Sequence, residues 1–194
     1  MRFIDLVIGR PAIVSGLSSG GLLAAWLSVY AKPGQIRAAH YEDPPLFNAE
    51  SDSPSFLAGR GSPFALWRKY LGNQWQVGDW AGMRAAASHE LLPWLAAVIE
   101  FPEQPTQNMK EYDPEWARAC CAGTLTANCD HAQMLTSVSV PVLFTHHFRH
   151  VDVTTGRLLG VPSDAQAARV RELVTGAVHP DAGRVGGHAA MTVY

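Results

Sequence analysis

Short apolar runs alternate with amphipathic stretches along this chain. "PAIVSGL" (11–17) is apolar, short and led by a proline, and it predicts a buried strand. "SSGGLLAAWLSVYA" (18–31) predicts a helix, stopped by Pro33 and Gly34. "IRAAHYED" (36–43) predicts a second strand, ended by Pro44 and Pro45. Residues 46–62 are rich in Ser, Pro, Gly and Asp and read as loop. From 63 to 137 the pattern is helical. "SPFALWRKYLG" can start at Ser62, and "GDWAGMRAAASHELL" runs to Pro93. "DPEWARACCAG" has Asp113 as N-cap and Pro114 at the first helical position, where its missing N–H costs nothing. "VPVLFTHH" (140–147) predicts a third strand. "SDAQAARVRELVTG" predicts a helix from Ser163, with Gln166 completing a capping box and Gly176 suited to its end.

Strands separated by helices imply parallel pairing, because a parallel return needs a crossover. The predicted class is therefore α/β, a parallel sheet with helices on both faces. The block from 63 to 137 is too long for a crossover and reads as a helical lid inserted between two strands.

Composition narrows the function. The chain has 194 residues, enough for a substantial core, with 47% hydrophobic and 16% charged residues. A net charge of −2 gives no electrostatic case for nucleic acid or an anionic membrane. Cys120, Cys121 and Cys129 are an odd set without metal spacing, and predict free thiols in a reducing, cytoplasmic setting. The opening "MRFIDLVIGRP" is too short and polar for a signal peptide.

The strongest chemical signal is Gly16-Leu17-Ser18-Ser19-Gly20, a G-x-S-x-G between a predicted strand and a predicted helix. In a nucleophile elbow this turn thrusts the serine out at the carboxyl end of the sheet. Gly16 and Gly20 are expected to be required because side chains there would collide with neighbouring backbone. The N–H of Ser19, at the helix start, can donate to an oxyanion. The plainer alternative is a strand-to-helix turn with Ser18 as N-cap. A phosphate loop fits less well, since no Gly-Lys-Ser/Thr follows.

The stretches "SSGGLLAAWLS", "PGQIRAA", "EDPPLF", "LGNQWQVGDWAGM", "NMKEYDPEWARA", "VPVLFTHH" and "TGRLLGVPSDAQA" carry a resemblance. With them the chain resembles the α/β-hydrolase superfamily, and within it the bacterial zearalenone-type lactone hydrolases. The resemblance implies hydrolysis of a small apolar ester or macrolactone by a serine nucleophile, with no metal or organic cofactor. It implies a partial hydrolase core over 1–46, a helical lid over 47–137 and returning core over 138–194. It also implies an amino-truncated chain with a divergent tail, since only 17 residues precede Ser18.

For the triad acid, the resemblance points to the end of the second strand. Asp43 aligns best when "QIRAA" is the anchor, and Glu42 lies one step away. Strand alternation allows only one of them to face the site. Asp152, after the third strand, is the other superfamily position, but "VDVTTG" also reads as an Asx-type turn. The resemblance puts the catalytic histidine after the last strand, where His188 is better placed than His179. Trp75 and Trp80, in "NQWQVGDW", are the aromatic candidates for substrate contact. "HHFRH" (146–150) is not read as a metal site, because extended geometry points His146 and His147 to opposite sides.

The alternative to an active hydrolase is a non-catalytic or weakly active remnant that needs a partner or self-association. In the resembled fold, strand 11–17 lies inside the sheet. Without its neighbour it becomes an apolar edge, and a homo-oligomer paired through it is expected.

Overall fold

The computed structural model describes residues 2–47, 61–72, 78–147, 162–176 and 190–191. Four strands, β1 (Ala12–Leu17), β2 (Ile36–Glu42), β3 (Val142–Thr145) and β4 (Ala190–Met191), form one sheet in the order β1-β2-β3-β4. All three pairings are parallel. The expected α/β class with a parallel sheet is what the structure shows. The two-residue β4 lies in a tail with little strand character of its own, so pairing with β3 rather than local propensity makes it a strand.

Helix α1 (Ser19–Tyr30) joins β1 to β2. Between β2 and β3 come α2 (Pro63–Tyr70), α3 (Trp80–Glu90), α4 (Pro93–Val98), α5 (Gln107–Lys110), α6 (Pro114–Ala122) and α7 (His131–Thr136), and α8 (Asp164–Gly176) follows β3. The starts read from the sequence hold at atomic detail. The Ser62 side chain accepts from Phe64 N–H, Asp79 from Gly82 N–H and Asp113 from Glu115 N–H. Gly123, at φ 68, closes α6 in the left-handed conformation that glycine adopts without cost. At α8, Ser163 Oγ accepts from Gln166 N–H while Gln166 Oε1 accepts from Ser163 N–H, a complete capping box.

The chain divides into two compact units. One comprises Met1–Asn48 with Asn128–Tyr194, the other Ala49–Ala127. Helix α7 belongs to the first unit, where Met134, Leu135 and Val138 are buried with Tyr41, Phe144, Val170 and Val174. His131 secures this join, its Nδ1 accepting from Phe47 N–H at 2.9 Å. The second unit has its own core of Leu66, Leu71, Trp80, Met83, Leu91 and Leu95.

Helices α1, α7 and α8 share a single cluster with Ala39, Tyr41, Val142 and Phe144 on one face of the sheet. The sequential strand order explains this, since crossovers of constant hand in one direction all fall on the same side. On the other face, Ile13 and Leu17 of β1 are 58% and 57% exposed. A chain of side chains crosses this face from Ser15 Oγ to His40 Nδ1 and from His40 Nε2 to Thr145 Oγ1, each step 3.0 Å.

Inside the covered face, Ser28 Oγ donates to Ala25 O and receives the Tyr41 hydroxyl. Burial pushes the Tyr41 phenol up to about 12. Burial raises the thiols of Cys120, Cys121 and Cys129, Cys120 to about 11.

Candidate active site

The parallel register sets the carboxyl ends of β1, β2 and β3 side by side. Leu17 pairs with Glu42, and Glu42 with Thr145. The next residues, Ser18, Asp43 and His146, therefore leave the sheet at one edge, where α/β proteins build their sites.

Ser18 has φ 54 and ψ −119, a conformation L-residues avoid. Such backbone costs of order 1–3 kcal/mol and persists where its surroundings over-determine it. The surroundings here are explicit. Ser18 N–H donates to Glu42 O at 2.8 Å, and Ser18 O accepts from Leu22 N–H at 3.1 Å. A Cβ on Gly16 would lie 2.2 Å from the Gly20 carbonyl, so only glycine lets the chain turn this tightly. Gly20 itself departs from expectation, because a Cβ there would meet nothing within 4 Å. The second required glycine is Gly21, whose Cβ would lie 2.8 Å from Gly16 O and 3.1 Å from Glu42 O. Helical rotation explains the shift, since the residue facing the strands in the first turn of α1 is Gly21. Ser19 is the first residue of α1, in the turn whose N–H groups have no acceptor within the helix.

Asp43 also has a positive φ, 41. It lies past the end of β2, and this turn takes it out of the strand alternation. Glu42 and Asp43 were expected to be separated by alternation, but both reach one imidazole. His147 Nε2 is 2.9 Å from Glu42 Oε1, and His147 Nδ1 is 3.3 Å from Asp43 Oδ2. Asp43 is 1% exposed and is held further by His147 N–H at 3.1 Å and His146 Nδ1 at 3.2 Å, both on Oδ1. Its own N–H donates to Thr145 O. His146 is buried, with Nε2 3.2 Å from Asp164 Oδ1 in the first turn of α8. A buried carboxylate needs such donors to offset its lost hydration.

His146 and His147 are thus the site residues that sequence reasoning missed. Opposite orientations were expected of them as strand residues. But β3 ends at Thr145, so alternation no longer applies and both rings reach Asp43. Only the short β3, running into two histidines, signalled it in advance. Among the described residues no group of three or more His, Cys, Asp or Glu side chains is arranged to hold a metal ion.

Trp80 is 9% exposed in the second unit's core, its indole N–H donating to Pro102 O at 3.0 Å. That placement spends its polar handle on packing. Trp75, Asp152, His179 and His188 lie outside the described residues. No helix among the described residues is long and apolar enough to cross a membrane.

No protein-family model matches the chain. No curated protein matches it. Among solved structures it is similar to the crystal structure of the enol-lactonase from Burkholderia xenovorans LB400, at 14% identity and a TM-score of 0.44. That likeness covers 90% of this chain and 58% of the other, so the chain spans less than two thirds of that structure's length.

Proposed function

We propose that this chain is a cofactor-free serine hydrolase acting on a small apolar ester or lactone through an acyl-enzyme, a zearalenone-like macrolactone being the substrate the sequence resemblance suggests. The observation that carries the reading is Ser18 at φ 54 and ψ −119, seated between β1 and α1 by Gly16 and Gly21. A merely structural turn has no use for a strained serine where glycine would serve.

In this reading Ser18 Oγ attacks the carbonyl carbon and its proton passes to a histidine. The oxyanion accepts from Ser19 N–H, and the ester C–O bond breaks as the histidine returns the proton to the leaving alcohol. Water then hydrolyses the acyl-serine by the same route. Asp43 or Glu42 is the acid that orients the histidine, and the resemblance suggests His188 for that histidine. The reading is tested by treating the folded protein with a fluorophosphonate and mapping the adduct by mass spectrometry. The expected label is on Ser18 and is lost in Ser18→Ala. Labelling elsewhere, or none, overturns it.

A second reading, a chain that works only when associated, is favoured by the apolar exposure of β1 and α1. Besides Ile13 and Leu17, the α1 residues Leu23, Trp26 and Tyr30 are 62%, 41% and 49% exposed. A helix apolar on its outer side as well as its inner one is normally covered on both.

A further inference from the structure

The geometry points to His147 as the general base of this site. The inference rests on the hydrolase reading above and names a histidine which that reading draws from elsewhere in the chain. The sequence leaves the acid open among Glu42, Asp43 and Asp152, and the ring of His147 has one nitrogen on each of the first two, at 2.9 and 3.3 Å. A carboxylate only accepts, so the nitrogen that is to take a proton from a hydroxyl must first part from its carboxylate. With Nδ1 on Asp43 the arrangement is that of an acid–imidazole pair, and Nε2 is the proton acceptor.

Reach favours the same residue. The ring contacts Glu42, the last residue of β2, and Asp43 just after it, and β2 is the strand paired with the one that leads to the nucleophile. Ser18 follows the Leu17–Glu42 register pair and donates its N–H to Glu42 O. The Glu42 side chain is 34% exposed and can leave Nε2 for solvent, giving its place to the Ser18 hydroxyl. The acid side is fixed by comparison. Asp43 Oδ1 accepts from the His147 N–H and lies 3.2 Å from His146 Nδ1, and Oδ2 lies 3.3 Å from the His147 ring.

The other described histidines of the sheet unit are otherwise engaged. His40 lies between Ser15 and Thr145, and the Nδ1 of His131 accepts from Phe47 N–H. His146 is 2% exposed between Asp43 and Asp164. The His147 side chain is 45% exposed, open to substrate and to small molecules from solvent. In the step, the Ser18 Oγ–H proton goes to His147 Nε2 as the bond from Oγ to the acyl carbon forms. It leaves with the alcohol when the ester C–O bond breaks.

The test is the rate of fluorophosphonate labelling at Ser18, in which Oγ displaces fluoride from phosphorus and gives up its proton to the base. His147→Ala is expected to label about 100-fold more slowly or worse, the range for loss of a general base. Free imidazole, entering the space vacated at this half-exposed position, is expected to restore part of the rate in a concentration-dependent way. His147→Gln, which keeps polar contacts but has no basic nitrogen, is expected to stay slow. Thermal melts of both variants check that they remain folded. A parent-like rate in His147→Ala, or a loss that imidazole does not relieve in a folded variant, overturns the inference and leaves the hydrolase reading standing. A parent that does not label Ser18 overturns both.

Discussion

At Gly20 a Cβ would meet open space, whereas at Gly16 and Gly21 it would strike backbone. The three glycines of this turn are therefore not equivalent, and alanine substitution separates them. Gly20→Ala lies within α1, where alanine is preferred over glycine. It is expected to be neutral or to stabilise by up to about 1 kcal/mol. Gly16→Ala and Gly21→Ala must move main chain, and each is expected to cost about 2 kcal/mol or more, as overpacking does. Denaturant unfolding of the three variants is the measurement, and equal effects would show that the turn relaxes freely. At this scale the sequence announced the motif but not the roles within it. Which glycine faces a strand depends on where the helix begins, and a shift of one residue rotates the Cβ by about 100°.

Among the elements, local chemistry decided the beginnings and ends. Ser62, Asp79, Asp113 and Asp130 each cap a helix through a side-chain oxygen, and at Ser62 and Asp113 this made the start readable in the sequence. The α8 start adds a tertiary bond, since Gln166 Nε2 donates to Phe47 O at 3.1 Å. Ser163→Ala is expected to cost about 1 kcal/mol, the usual value of an N-cap. Gln166→Ala is expected to cost more, because it removes the side chain's half of the capping box and the tie to the loop after β2 together. Urea titrations measure both, and a smaller effect for Gln166→Ala would mean that the Phe47 bond contributes nothing. By contrast, α4, α5 and α7 are four to six residues long. Such pieces are marginal alone and are held by their surroundings, so periodicity did not resolve them.

For the whole molecule, the sheet order places β1 at one edge, with α1, α7 and α8 on one face. The β1 segment "AIVSGL" carries no charge to deter pairing. The chain is expected to sediment as a dimer or larger species at low micromolar concentration. Ile13→Lys, which puts a charge on the exposed face of the edge strand, is expected to shift it toward monomer. A compact parent monomer with a cooperative melt would overturn this.

By itself the sequence determined the first three strands and the long helices between them, the caps at Ser62, Asp113 and Ser163 and the glycine-rich turn around Ser18, because each depends on residues within a few positions of one another. The pairing of Glu42 and Asp43 with His147 is different. It joins groups more than a hundred residues apart, and it exists because β2 and β3 lie side by side and both end at one edge. Alternation rules, sound within each strand, stopped applying one residue past its end, at Asp43 with φ 41 and at His146 after Thr145. Only the tertiary structure could decide those contacts, since the turn of the main chain beyond the last ladder bond sets where a side chain points.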